Sequence, residues 1–205
     1  GSRPMLIQLN KHDMTQSEVM GADTVKLCEM AGFNPRLEND NQSRVEANQW
    51  GFKAEFAVAR VLDLTPPTLT VTTDGGADLW IDGETTIDVK FTNMANGPLI
   101  FDSMAKFRSN IAVLCGRTKE DDVVRINGWI TREAFKNRYK KFDFGYGLRL
   151  MISADDLEPI ETLWKQMIKL KYGATTNENR NSIRFGDDGS EMGQHQGQLP
   201  LQQEE

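Results

Sequence analysis

Cysteine and histidine are scarce in this chain of 205 residues, with two of each. Cys28 and Cys115 both fall in apolar segments. That excludes a disulfide framework and a cysteine-rich zinc site, and points to a reducing cytoplasm. His12 and His195 lie near the two ends, so neither a histidine metal site nor a histidine-based triad is expected. No apolar run approaches the roughly 18 residues of a membrane span, and the opening residues do not read as a signal peptide. No membrane partner is expected. Residues 1–4, ahead of Met5, read as a cloning remnant. What remains is 39% hydrophobic and 26% charged overall, a composition that can fold around one core and excludes global disorder. One domain over residues 5–172 is the expectation.

Net negative charge, −6, argues at first against a nucleic-acid partner. Its distribution weakens that argument. Residues 173–205 hold six acids against Arg180 and Arg184, a net of −4, which leaves −2 for the preceding 172 residues. This acidic, Gln-rich segment is expected to be a disordered tail. Lys106, Arg108, Arg117 and Lys119 fall between 103 and 119 with no acid among them. Arg132, Lys136, Arg138, Lys140 and Lys141 follow against Glu133 alone. Such clusters can neutralise phosphates, and they can equally be an ordinary solvated face. Charge alone decides nothing.

Thr15-Gln16-Ser17-Glu18 has capping-box spacing and opens an amphipathic run to about Gly32. A loop over 33–40 precedes a longer helix over 42–62, which Pro66-Pro67 ends. Segments 68–73, 77–81 and 85–92 read as strands, separated by Asp74-Gly75-Gly76 and Asp82-Gly83. After a loop over 93–98, residues 101–109 suggest a short helix, while 111–115 and 123–130 suggest strands. Thr131 looks like the cap of a helix through Asn137, and 148–152 like a last strand. Ser153 then caps a helix reaching about Leu170.

The chemistry concentrates between Gly76 and Thr92. Alternation across a strand places Thr86, Asp88, Lys90 and Thr92 on one face, opposite Ile87, Val89 and Phe91. Asp78 lies on the polar side of the preceding strand. A two-residue Asp82-Gly83 turn would pair Asp78 with Ile87 and send the two acids to opposite faces. A three-residue loop, or one bulge, returns them to the same face; with Ile81-Asp82-Gly83 as that loop, Asp78 opposes Thr86. If the acids converge they repel, and a hard divalent ion is the natural compensation: Mg²⁺ takes carboxylates, waters and phosphate oxygens.

Asp78 followed by Asp88-Val89-Lys90 resembles the D…(D/E)-x-K signature of the PD-(D/E)XK nuclease superfamily. Gly51-Phe52-Lys53-Ala54-Glu55-Phe56-Ala57 is similar to the G-x-x-G-E-x-A helix of several bacterial and phage members, with Ala54 in place of the second glycine. Ala77 stands where many members have proline. The likeness covers roughly residues 42–130. It implies a restriction-endonuclease-like α/β core of order αβββαβ, a central mixed sheet flanked by helices, with extra helices at both ends. It also implies a metal-dependent deoxyribonuclease of phage or mobile-element type, in the cytoplasm of a bacterium or phage-infected host. By this resemblance Asp78, Asp88 and Glu55 would serve Mg²⁺ or Mn²⁺, and Lys90 would activate water or stabilise the phosphate.

Simpler roles exist for each residue. Asp78 can cap a turn, Asp88 and Lys90 can form an exposed ion pair worth little, and Glu55 can be solvated. Lys53, Lys106, Arg108, Arg117 and Lys119 are candidates for backbone contacts to DNA, and Trp50 beside Lys53 for contact with substrate. Trp80, Trp129 and Trp164 read as core. A homodimer is compatible with the superfamily. The alternative function, from a different class, is a catalytically silent nuclease-fold protein that binds nucleic acid or a protein partner.

Overall fold

The computed structural model describes residues 3–30, 41–68 and 77–173. The expected strand at 68–73 and the expected acidic tail fall almost wholly outside them. In chain order the elements are β1 (Met5–Gln8), α1 (Lys11–Met30), α2 (Asn41–Leu62), β2 (Leu79–Ile81), β3 (Thr85–Thr92) and β4 (Leu99–Phe101). There follow β5 (Ile111–Arg117), β6 (Val123–Thr131), α3 (Arg132–Arg138), β7 (Lys140–Asp143), β8 (Leu148–Ile152) and α4 (Ile160–Gly173). The fold is mixed α/β. Among the described residues no helix is long and apolar enough to cross a membrane.

Five strands form one sheet in the order β1-β6-β5-β3-β2, in which only the β3–β5 pairing is parallel. Residues 111–116 of β5 are buried on both faces, which explains why this central strand is an unbroken apolar run. On one face Ile87, Ile111, Val113 and Cys115 pack against α2 and α4. Ala54, Ala57 and Ala59 are almost wholly buried there; side chains this small let α2 lie close to the sheet. On the other face Ala112 and Leu114 meet Phe107, Phe135 and the inner residues of a second sheet, ordered β4-β8-β7.

Helices α1 and α2 are antiparallel neighbours, joined by Arg60–Asp13 at one end and Arg44–Glu29 at the other. Helix α1 starts earlier than Thr15. Asn10 Oδ1 accepts the Asp13 amide at 2.8 Å and caps it, so Thr15-Gln16-Ser17-Glu18 lies inside the helix. Thr131 caps α3 as expected, its hydroxyl accepting from the Ala134 amide. Ser153 caps only a 3₁₀ turn over Ala154–Asp156, and α4 begins after Pro159; proline is tolerated ahead of a helix and not inside one.

One correction bears on the expected core. Residues 101–109 are not a helix: Phe101 ends β4, and only a 3₁₀ turn, Met104–Lys106, follows. The crossover between the parallel strands β3 and β5 therefore runs through the second sheet rather than through a helix. Phe101 and Phe107 stack with ring centroids 4.4 Å apart, and burial of these rings fixes the segment in place of the expected short helix. Strands β1 and β7 carry no clear strand signal; both lie at sheet edges, where half or all of the residues are exposed.

Candidate functional site

The β2–β3 connection decides which side chains meet. Ile81 pairs with Thr85, leaving the three-residue loop Asp82-Gly83-Glu84, with φ of 51° at Asp82 and 77° at Gly83. The loop is odd, but it is not Ile81-Asp82-Gly83. Ile81 and Thr85 are both buried, and drawing Ile81 into the loop would expose it. The pairing sets Leu79 opposite Ile87, so one further step along the register carries Asp78 to the level of Asp88 instead of Thr86.

Asp78 sits just before β2. Its Oδ2 accepts the Val89 amide hydrogen at 2.7 Å, supplying an acceptor to β3 beyond the point where β2 pairs with it. Burial, then the charge of Asp88, push the Asp78 carboxyl up to about 7, against the opposing pull of the Val89 amide. Side-chain contact with Asp88 adds to the upward push on Asp78. Glu55, partly buried on α2, is pushed well above the usual carboxylate range by burial first and then by the charges of Asp78 and Asp88. Three acids from three elements thus sense one another.

Lys90 is the cation beside them. Its Nζ lies 3.3 Å from Asp88 Oδ2 and 5.0 Å from the ring centroid of Phe101, and its side chain remains 40% exposed. Asp88 and Lys90 face Ala112 and Leu114 of β5 across the parallel pairing. Two residues earlier, Thr86 donates through both its amide and its hydroxyl to Asn110 Oδ1, at 2.9 and 3.1 Å, and its hydroxyl accepts from the Asn110 amide. This clamp ties the start of β3 to the residue before β5. Neither Asn110 nor Phe101 carries a sequence signal for the site, because each reaches it only through the tertiary fold.

The donor set suits a hard cation. It is made of carboxylate oxygens, with no sulfur or imidazole among these groups, and Mg²⁺ or Mn²⁺ favours such ligands. As placed, however, no three His, Cys, Asp or Glu side chains among the described residues stand close enough to enclose a metal ion.

Several proposed nucleic-acid contacts fall elsewhere. Lys53 is buried, donates to the Asp121 carbonyl at 2.9 Å and lies over the Trp50 ring at 4.2 Å; burial lowers its pKa. Trp50 is only 2% exposed and stacks on Phe91. Both are core residues. Arg117 pairs with Glu46 at 2.6 Å. Lys106, Arg108 and Lys119 are exposed, but Lys106 and Arg108 precede β5 whereas Arg117 and Lys119 lie at its far end. A strand of that length spans about 20 Å, so the four do not form one patch. Trp129 is core, whereas Trp80 and Trp164 are exposed; Trp80 lies on the face of β2 opposite its buried neighbours Leu79 and Ile81.

Comparison of the chain with family models, with curated proteins and with solved structures gives no match.

Proposed function

We propose that the chain is a metal-dependent nuclease that hydrolyses phosphodiester bonds, in DNA above all. One observation carries this reading: Asp78 lies one step beyond the last β2–β3 pair, at the level of Asp88 and beside Lys90, and Glu55 on α2 is near enough to feel the charge of both acids. Desolvated like charges are unfavourable without compensation, and one half-exposed lysine does not balance three carboxyls. A divalent ion held by Asp78, Asp88 and Glu55 would, as a Lewis acid, polarise a phosphate oxygen and acidify a bound water. Lys90 presents a fixed positive charge in the same place, suited to stabilise charge developing on phosphate. Asp88 orients Lys90, and the Thr86–Asn110 clamp holds the strand that carries both.

The absence of a ready three-ligand arrangement among the described residues favours the other reading, a catalytically silent protein of this fold that binds nucleic acid or protein. Incubation with circular and linear, single- and double-stranded DNA in Mn²⁺ or Mg²⁺ separates the two. The nuclease reading expects cleavage that EDTA and Asp88→Ala each abolish. Equal degradation by wild type and Asp88→Ala, or none at all together with no carboxylate-dependent Mn²⁺ binding by calorimetry, overturns it.

A further inference from the structure

In the hairpin formed by β7 and β8, the core residues Leu150 and Ile152 come from β8 alone. All four residues of β7 are exposed, although it pairs in register with β8 along its length. Exposed with it are Phe142 (51%), Phe144 (37%) and Tyr146 (78%). Three solvent-facing aromatic rings within five residues are expensive to leave uncovered if nothing binds them. They are also organised. Phe142 and Phe144 lie with centroids 4.7 Å apart, and the Arg149 guanidinium is 5.9 Å from the Tyr146 ring.

Register sorts the two faces. Leu150, opposite Lys141, is buried toward the core, so Phe142, its cross-strand partner Arg149, and Lys140 point outward together. The turn is held by Asp143, whose Oδ1 accepts from the amides of Gly145 and Gly147 at 2.7 and 3.2 Å. That acid is the sole one between residues 136 and 149, a stretch with five lysines and arginines, of which Arg149 pairs with Asp102 at 3.2 Å. The ordered turn sets the aromatic side chains on a defined ribbon rather than on a loose loop.

We propose that this hairpin is a binding platform for single-stranded nucleic acid. Every base offers a π-face, so exposed rings stack on unpaired bases without regard to sequence, and interleaved cations track the phosphates. A duplex hides those base faces, so the aromatic part of the platform discriminates in favour of a single strand. Charge complementarity sets this occupant apart from an apolar protein partner, for which Lys140 and Lys141 at the edge would be a liability. The inference goes beyond hydrolysis and does not depend on it.

The test is fluorescence anisotropy in EDTA, where cleavage cannot intrude, with a labelled single-stranded oligonucleotide and the matching duplex. Wild type should bind the single strand more tightly than the duplex. Phe142→Ala with Tyr146→Ala should weaken single-strand binding by about tenfold or more while leaving duplex binding and the circular-dichroism spectrum unchanged. Lys140→Ala should lower the slope of log affinity against log salt by about 0.7. Absent single-strand binding, binding indifferent to the aromatic pair, or preference for the duplex overturns the proposal. So does a wild-type dimer in analytical ultracentrifugation that the aromatic pair dissolves, since the surface then belongs to a second copy. Hydrolysis of a small phosphodiester by the same variants is read separately and reports on the carboxylate site alone.

Discussion

Asp78, just ahead of β2, accepts the Val89 amide hydrogen at 2.7 Å, and its carboxyl lies close enough to Asp88 to feel its charge. One side chain therefore both completes a sheet edge and crowds another acid. Substitution separates the two effects. Asn keeps an acceptor for the Val89 amide and removes the charge, whereas Ala leaves that amide without its partner, at about 1–3 kcal/mol. Asp78→Asn should thus be more stable than Asp78→Ala by about 1 kcal/mol in urea denaturation at pH 7, and both should lack hydrolytic activity. Equal stability would mean that the amide finds water and that the edge contact contributes nothing.

The same crowding predicts how stability varies with pH. Asp78 is raised to about 7, and Glu55 is raised as well, so between the ordinary carboxylate range and pH 7 the folded state binds more protons than the unfolded one. Stability contributed by these groups is present at low pH and is lost as pH rises through 7. In EDTA the wild type should lose more thermal stability than Asp78→Asn between pH 6 and pH 8. Millimolar Mn²⁺ at pH 8 should restore the wild type preferentially. Parallel pH profiles for the two proteins would show that the acids do not interact.

Asp13 behaves in the opposite sense. Its side chain is 1% exposed and receives two hydrogen bonds from Arg60, at 2.8 and 2.6 Å, which hold its carboxyl below the ordinary range. A depressed acid contributes stability above its unfolded pKa and loses it as pH falls through the folded one. Arg60→Ala should cost about 2 kcal/mol at pH 7, less than a fully buried pair because Arg60 is half exposed. The loss should shrink as pH approaches 3, where the orphaned carboxyl can protonate. Denaturant titration at pH 7 and pH 3 with Asp13→Asn as the partner variant checks this, and an equal loss at both pH values would refute it.

Gly21 sits where α1 meets α2. A Cβ built there would lie 2.7 Å from the Gln49 backbone nitrogen, closer than real contacts allow. Helix propensity alone predicts that Gly21→Ala gains about 1 kcal/mol. The approach to backbone predicts the reverse, a loss of about 1–3 kcal/mol as the helices are forced apart. The sign of the change in chemical denaturation decides between them.

Local patterns made much of this legible in the sequence. The 42–62 helix, the central strand at 111 and the Asp88/Lys90 face follow from periodicity, which is set by backbone geometry alone. For the β2–β3 loop the sequence poses a choice between an even turn and an odd loop, and only the odd one puts Asp78 and Asp88 on the same face. What periodicity could not supply was which residues form that loop, since this depends on the burial of Ile81 by residues far along the chain. Lys53 and Trp50 misled for a similar reason. A cation and a ring next to a candidate acid look like substrate contacts until the fold shows Asp121 and Phe91 covering them. The platform at 140–149 was visible only as charge, because its aromatic residues acquire meaning from their exposure.

Lys90 offers the sharpest separation of binding from turnover. Its ammonium, 3.3 Å from Asp88, competes electrostatically with any divalent ion that the carboxyls hold, yet the proposed reaction needs its charge at the phosphate. Lys90→Met keeps the stem that lies against Phe101 and removes only the cation. Calorimetry should therefore show Mn²⁺ binding unchanged or several-fold tighter, while DNA cleavage falls by about 10²–10³, the usual cost of losing one charge-stabilising group. Asp88→Ala, by contrast, should lose both binding and cleavage. If Lys90→Met binds Mn²⁺ more weakly than wild type with its fold intact, the lysine organises the carboxyls rather than the phosphate. If it cleaves at the wild-type rate, Lys90 is no more than an ion-pair partner of Asp88.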